Sequence, residues 1–278
     1  MEKNNQNFNF SADFQSDNDF ELEGIMHCGR CGEAKEYPVV LGTTSITVPV
    51  MCRCERSEAE RREKERAAFE FKLWKENMLK TGLRKPEFKN YTFANDDLLN
   101  KDVSNICQSY AENFNEALER NLGLLFYGGT GSGKTFLAIA IANALIDMKK
   151  SVYVTSVTEW IDMAQRYDAG NKQAILDKIM RVSLLVIDDL GAERNTSFGL
   201  EQAYLLINSR YEAGLPTIAT TNKSLEELKS PEFLEFQRIY DRVLEMCTLQ
   251  VKVPGKSRRE AIRKAKQKEA IKAFYKDA

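Results

Sequence analysis

Four apolar residues, Leu124 to Tyr127, run straight into Gly128-Gly129-Thr130-Gly131-Ser132-Gly133-Lys134-Thr135, and an almost wholly apolar stretch, Phe136 to Ile146, follows. Few folds accommodate a buried strand, a glycine-rich turn and a buried helix in that order. Open α/β sheets do, with the turn at the carboxyl end of a parallel strand. The turn fits the pattern G-x-x-x-x-G-K-[ST] in full. Its glycines let the backbone curl until several N–H groups face one anion, and the start of the helix adds positive potential. Lys134 then reaches the β- and γ-phosphate oxygens of ATP, facing solvent when the loop is empty, and the Thr135 hydroxyl can ligate Mg²⁺. All eight residues, Gly128 to Thr135, are therefore the expected nucleotide-binding set. A functionless glycine-rich turn is the competing explanation, and it does not account for the strand and helix on either side.

A second apolar run, Leu184 to Ile187, ends in Asp188-Asp189. Acidic residues at the end of a buried parallel strand stand at the sheet edge where ligands of open α/β sheets bind. Asp188 is expected to hold Mg²⁺ through its water shell, and Asp189 to orient the water that attacks the γ-phosphate. The plainer role for Asp189 is a solvated acid at a strand end.

Further short apolar segments at Val152–Thr155, Thr217–Thr220 and Leu249–Val253 alternate with helical patterns at 102–120, 134–148, 158–180 and 200–213. Short buried strands alternating with helices predict an α/β fold around a parallel sheet covered on both faces. Four regions follow: an acidic, disordered N-terminus (1–24), a cysteine module (25–54), a helical linker (55–85) and an ATPase domain (86–278) that closes on a basic helix.

The module carries Cys28-Gly29-Arg30-Cys31 and Cys52-Arg53-Cys54. A C-x-x-C knuckle turns two thiolates to one centre and a second close pair completes a tetrahedron, so Cys28, Cys31, Cys52 and Cys54 are expected to bind Zn²⁺. Free thiols are the alternative. A piece this small has little core of its own, and metal binding would supply much of its stability. His27, the single histidine, adjoins the first ligand and is expected to be a neighbour. Cys107 and Cys247 fall in apolar patterns and read as buried thiols.

The formal net charge of -1 conceals an uneven distribution: residues 1–24 hold six acids and one lysine, residues 252–276 ten bases and two acids. A local basic stripe is enough to attract a nucleic acid. No window is long and apolar enough to span a membrane, and no signal-peptide pattern opens the chain, so a cytoplasmic protein is expected.

Taken in order, Gly128–Thr135, Val186–Glu193, Thr217–Asn222, Arg238–Val243 and Gly255–Arg259 resemble the AAA+ ATPases, specifically the DnaC/DnaI-type replicative helicase loaders and the related IstB-type transposition ATPases. The resemblance runs from about residue 86 to 265. It implies a P-loop AAA+ core lacking a full C-terminal lid, since 56 residues follow Asn222. It also implies that Asn222 aligns the attacking water as sensor 1. Arg242, or else Arg238, is implied to be an arginine finger reaching the nucleotide of a neighbouring subunit, and Arg258 or Arg259 to be a sensor-2-like residue. Surface ion pairs, such as Arg242 with Glu245, are the alternative use for these arginines. Asp189 stands where many relatives have Glu, which implies slow hydrolysis.

The implied function is ATP-dependent loading of a hexameric replicative helicase onto single-stranded DNA, with self-association through an ATP interface. Cysteine-bearing N-terminal modules occur in similar loaders, where that part docks on the helicase. A transposition helper ATPase and a slow-hydrolysing, zinc-bearing ATP-switch adaptor are the alternatives. For the DNA path, the loaders imply the stretch Thr158–Met180, with Thr155, Ser156, Trp160, Arg166, Lys172 and Lys178. Trp160 either stacks on a base or packs the helix onto the sheet, and the basic C-terminal helix is the competing surface.

Overall fold

The computed structural model describes residues 18–192, 196–255 and 257–274. The chain divides into two compact units at Lys72/Leu73.

In the first unit, β1 (Phe20–Leu22) and β2 (Ile25–His27) form one antiparallel pair, and β3 (Glu36–Leu41) and β4 (Thr44–Pro49) another. Helix α1 (Arg53–Met78) begins here, at the second cysteine pair, and the divide falls within it. Residues 18–24, expected to be disordered, belong to the folded part. Phe20 pairs with His27 in register and stacks on its ring, and Asp19 accepts from Gly29 N at 3.1 Å and from Lys35 Nζ at 2.6 Å. An acidic composition conceals this order because Asp19 is neutralised by a lysine sixteen positions away. The rest of the expected disordered segment, residues 1–17, lies outside the described residues.

The second unit contains α2 (Lys101–Glu112), α3 (Phe114–Glu119), β5 (Leu124–Tyr127), α4 (Lys134–Asp147), β6 (Val152–Ser156), α5 (Val157–Arg166), α6 (Ala169–Arg181) and β7 (Leu184–Leu190). It continues with α7 (Ser197–Ala213), β8 (Thr217–Thr221), α8 (Leu225–Lys229), α9 (Gln237–Met246), β9 (Leu249–Lys252) and α10 (Arg258–Phe274). The strands form one parallel sheet in the order β6-β7-β8-β5-β9. Alternate residues of each strand feed two separate cores, as a period of two requires. Leu124, Phe126, Val154, Val186 and Ile218 join α4 and α2 on one face, while Leu125, Tyr153, Leu185, Ile187 and Ala219 join α5, α6, α7 and α9 on the other.

The helix expected over 102–120 is broken in two, and the helical stretch 158–180 resolves into two helices. Between α2 and α3, Asn113 donates its side-chain amide to Ser109 O at 2.8 Å, competing with the backbone ladder. Between α5 and α6, Tyr167 is extended and Asp168 caps the next helix by accepting from Asn171 N at 2.9 Å.

Arg210 on α7 is wholly buried, and among the described residues no carboxylate pairs with it. Its guanidinium donates to the carbonyls of Ile179, Val182, Ser183 and Pro216 and to Thr217 Oγ1, at 2.6–3.3 Å. Burial draws its pKa down to about 9. The bonds tie the end of α6 and the entries of β7 and β8 to one point.

Candidate functional site

The parallel order sets three strand ends side by side. β5 leads into the glycine loop, β7 ends in Asp188 and Asp189, and β8, lying between them, leads to Asn222. A cavity of about 530 Å³ opens there, lined among others by Gly131, Lys134, Thr135, Asp188, Asp189 and Asn222. Gly133 begins α4 with φ of +105°, a backbone conformation that favours glycine, and the tip of the Arg258 side chain lies where a Cβ would be.

Lys134 does not face solvent. It is buried, and its ammonium donates to Gly128 O at 2.8 Å, Gly129 O at 2.9 Å and Asn222 Oδ1 at 2.8 Å. The loop's own carbonyls converge on the charge, which corrects the expectation of a solvent-facing lysine. Asn222 passes the link on, donating from Nδ2 to Asp189 Oδ1 at 2.9 Å. Lys134, Asn222 and Asp189 thus form one hydrogen-bonded chain across three elements.

Asp188 accepts at Oδ1 from Thr135 Oγ1 at 2.8 Å and from Thr220 Oγ1 at 2.7 Å. Both are hard oxygen donors side by side at the sheet edge, which suits Mg²⁺ held by the Thr135 hydroxyl and, through its water shell, by Asp188. Ser132 Oγ in the loop is buried with no hydrogen-bond partner among the described residues.

Successive residues of a strand point to opposite faces, yet Asp188 and Asp189 both line the cavity. A break in register allows it: Ile187 pairs with Ala219 and Leu190 with Thr221, leaving two residues of β7 opposite Thr220. Asp189 takes a left-handed backbone, φ 58°, and donates its N–H to Thr220 Oγ1 at 2.9 Å. The Thr217–Asn222 motif contained Thr220, but its role depends on this bulge.

One wall of the cavity escaped the sequence reading, and one candidate arginine is now placed. Lys85, Phe88 and Tyr91 form another wall of the cavity, held in place because Asn143, a lone amide in the apolar helix α4, donates to Phe88 O at 2.9 Å and Tyr91 O at 2.8 Å. Arg258 reaches over the loop from α10, its backbone N donating to Gly131 O at 3.0 Å and its Nη2 to Asp97 Oδ1 at 2.7 Å. The alternative candidate, Arg259, has a side chain outside the described set.

Arg242 and Arg238 are not among the residues lining this chain's cavity. Arg242 is half-buried on α9 between the rings of Tyr204, at 4.5 Å, and Tyr211, at 5.5 Å, while Arg238 is exposed. Glu245 accepts instead from the Tyr211 hydroxyl at 2.8 Å. Trp160 is fully buried and donates Nε1–H to Gln202 O at 2.9 Å, which settles it as a packing residue. Thr155 is buried, Ser156 caps α5, and Lys178 sits 5.0 Å from the Tyr153 ring; Arg166 is exposed.

In the first unit the thiols of Cys28, Cys31, Cys52 and Cys54 lie within 4.8 Å of one another. Zinc–sulfur bonds of about 2.3 Å in a tetrahedron put sulfurs about 3.8 Å apart, so the cluster fits Zn²⁺. Cys28 N donates to Glu33 O at 2.9 Å and Gly32 N to Cys28 O at 2.8 Å, closing the knuckle. Left to themselves the thiols do not ionise alike. The Glu33 backbone amide holds Cys31 down at about 6, and burial pushes Cys52 up to about 12. His27 turns its Nδ1 to Gly32 O at 3.0 Å and is not part of the cluster.

Residues 56–268 match the family described as IstB-like ATP binding protein. The chain belongs to this family. In this IstB-like protein the match takes in the glycine loop, both aspartates, Asn222 and the arginines, and it starts beyond Cys54. The replicative helicase loader DnaI of Bacillus subtilis is 27% identical over 161 residues, 54% of this chain and 51% of that protein. The replicative helicase loader DnaC of Escherichia coli is 28% identical over 139 residues, 49% of this chain and 56% of that protein. The chain thus spans about half the length of these curated relatives. A crystal structure of DnaI superposes with a TM-score of 0.52 at 26% identity, covering 63% of this chain and 93% of that one. No helix among the described residues is long and apolar enough to cross a membrane.

Proposed function

We propose that this IstB-like protein is an ATPase that loads a hexameric replicative helicase onto single-stranded DNA. The observation that carries the ATPase reading is the chain Lys134–Asn222–Asp189 beside the Thr135–Asp188 pair. On ATP binding, Lys134 exchanges the carbonyls of Gly128 and Gly129 for β- and γ-phosphate oxygens, and the loop amides from Gly128 to Thr135 cradle the β-phosphate. Thr135 and Asp188 are suited to hold Mg²⁺, which neutralises charge on the phosphates when bound. Asp189, steadied by Asn222, orients a water that adds to the γ-phosphorus as the bond to the ADP oxygen breaks. Arg258 remains over the loop from its own chain. Arg242, or the more exposed Arg238, acts on the nucleotide of an adjacent copy, which makes turnover depend on assembly.

Kinship to DnaI and DnaC, both named as replicative helicase loaders, supports the helicase as partner, and a cytoplasmic setting is part of the same proposal. The thiol cluster is read as a zinc site that folds the N-terminal module for that docking. Single-stranded DNA is placed along α5 and α6, where Arg166 is exposed.

The Asp189→Asn variant is expected to bind Mg·ATP within about threefold of the parental chain while turnover falls about a hundredfold, since loss of one positioned polar group near the reacting atoms commonly costs that much. Asp188→Asn should instead raise the Mg²⁺ needed for nucleotide binding. Parental turnover in Asp189→Asn would reassign the water-orienting group.

The partner is tested by capture of purified replicative helicase and, in parallel, of a transposase, each with ATP and with ADP. Retention of the helicase alone supports loading. Retention of the transposase alone favours the transposition helper, and retention of the helicase without measurable turnover favours the ATP-switch adaptor.

A further inference from the structure

We infer that Thr220 is the positioning residue on which the two-carboxylate arrangement depends. This rests on reading the cavity as an ATPase site. In an unbroken ladder Asp188 and Asp189 would point to opposite faces of β7 and only one could serve the cavity. The bulge brings both to one side, and it leaves Asp189 N–H without a backbone acceptor in β8. Thr220, 1% exposed, replaces that acceptor with its hydroxyl oxygen at 2.9 Å and spends its own proton on Asp188 Oδ1 at 2.7 Å. One hydroxyl therefore fixes the backbone of the water-orienting acid and the rotamer of the metal-holding acid.

The neighbour Thr221 braces the other side. Its Oγ1 donates to Leu190 O at 2.7 Å and accepts from Lys223 N at 3.1 Å, so the register resumes there and the irregularity is confined to two residues. A left-handed aspartate in a strand is strained and persists where its surroundings over-determine it. Here the determinants are the Thr220 hydroxyl on the amide side and Asn222 on the carboxylate side. Thr220 touches neither phosphate nor water in this scheme; it acts through the two acids.

The test compares Thr220→Val, which keeps volume and β-branching but removes the hydroxyl, with Thr220→Ser, which keeps the hydroxyl. Loss of a hydrogen bond to a charged group should lower kcat about tenfold or more in Thr220→Val and raise the Mg²⁺ concentration for half-maximal activity several-fold. KM for ATP should stay within about threefold, because the phosphate loop is untouched. Thr220→Ser should recover most of the loss. Parental kcat and Mg²⁺ dependence in Thr220→Val would overturn the inference, as would equal losses in the valine and serine variants at matched melting temperatures. If Thr220→Val does not fold, Thr220→Ala is read against Thr220→Ser in the same way. If the parental chain binds nucleotide but does not hydrolyse it, the ATPase reading fails by itself. The inference is then decided by Mg²⁺ titration of binding to N-methylanthraniloyl-ATP: a raised midpoint in Thr220→Val upholds it and an unmoved one overturns it.

Discussion

Lys134→Ala is expected to abolish ATP binding at concentrations that saturate the parental chain. Among the described residues, the ammonium is the side-chain cation held by the loop carbonyls and able to exchange them for the β- and γ-phosphates. Removing a charge-assisted contact at a desolvated phosphate costs several kcal/mol, so affinity for N-methylanthraniloyl-ATP should fall about a hundredfold or more. The structure adds a second effect. Because Lys134 is buried and bonds Gly128 O, Gly129 O and Asn222 Oδ1, its loss leaves three acceptors to find water, and the empty protein should lose about 1–3 kcal/mol of stability. A thermal melt without nucleotide measures this. Unchanged nucleotide affinity in the variant would remove the basis for the ATPase reading, and an unchanged melt would mean the lysine already spends most of its time in solvent.

The other large effect is metal removal. One equivalent of zinc is expected to accompany the chain, and Cys28→Ser with Cys31→Ser should release it. Structural zinc in small modules contributes about 10–16 kcal/mol of apparent binding energy at neutral pH, more than two short antiparallel pairs can replace. Among the described residues, β3 and β4 bury none of their side chains, so the hairpin has no core to fall back on. Limited proteolysis should then cut between β3 and β4, while the unit from Leu73 onward keeps its melting transition, having two cores of its own. Elemental analysis without zinc in protein prepared free of chelator would favour free thiols. Loss of the second unit's transition in the double variant would mean that the two units do not fold independently.

The sheet was legible because buried parallel strands appear as short apolar runs, and β5, β6, β7, β8 and β9 all lie where those runs lie. α8 and α9 drew no helical expectation; they are short and amphipathic, and α8 owes its start to Ser224 and Glu227 capping one another. Within the site, residues adjacent in sequence were the readable ones, the glycine loop and the aspartate pair, while Asn222 was named only through the family resemblance. What could not be read were partnerships over distance. Asp97 meets Arg258 across 161 positions and Asn143 meets Phe88 across 55, and neither spacing leaves a periodic trace. Trp160 carried the same ambiguity in another form, since an aromatic at a helix start suits a base and a core equally until its indole N–H is seen bonded to Gln202 O. The expected disorder of residues 18–24 failed for a related reason: composition does not reveal that Asp19 and Lys35 are one ion pair.

The five acceptors gathered on Arg210 have a consequence for how this chain can drift. No other side chain carries five N–H donors in a planar fork, so any single replacement strands several oxygens at once, in a place water does not reach. Lysine has too few protons and the wrong shape; leucine fits the space but answers none of the carbonyls. A viable exchange would need the turns after α6 and before β8 to be rebuilt in the same step, which point mutation cannot do. Any single exchange at this position is therefore expected to destabilise the fold. An investigator ranking residues by intolerance to change would be drawn to this arginine and away from the cavity, although what it secures is the spacing of strands and not the chemistry at their ends.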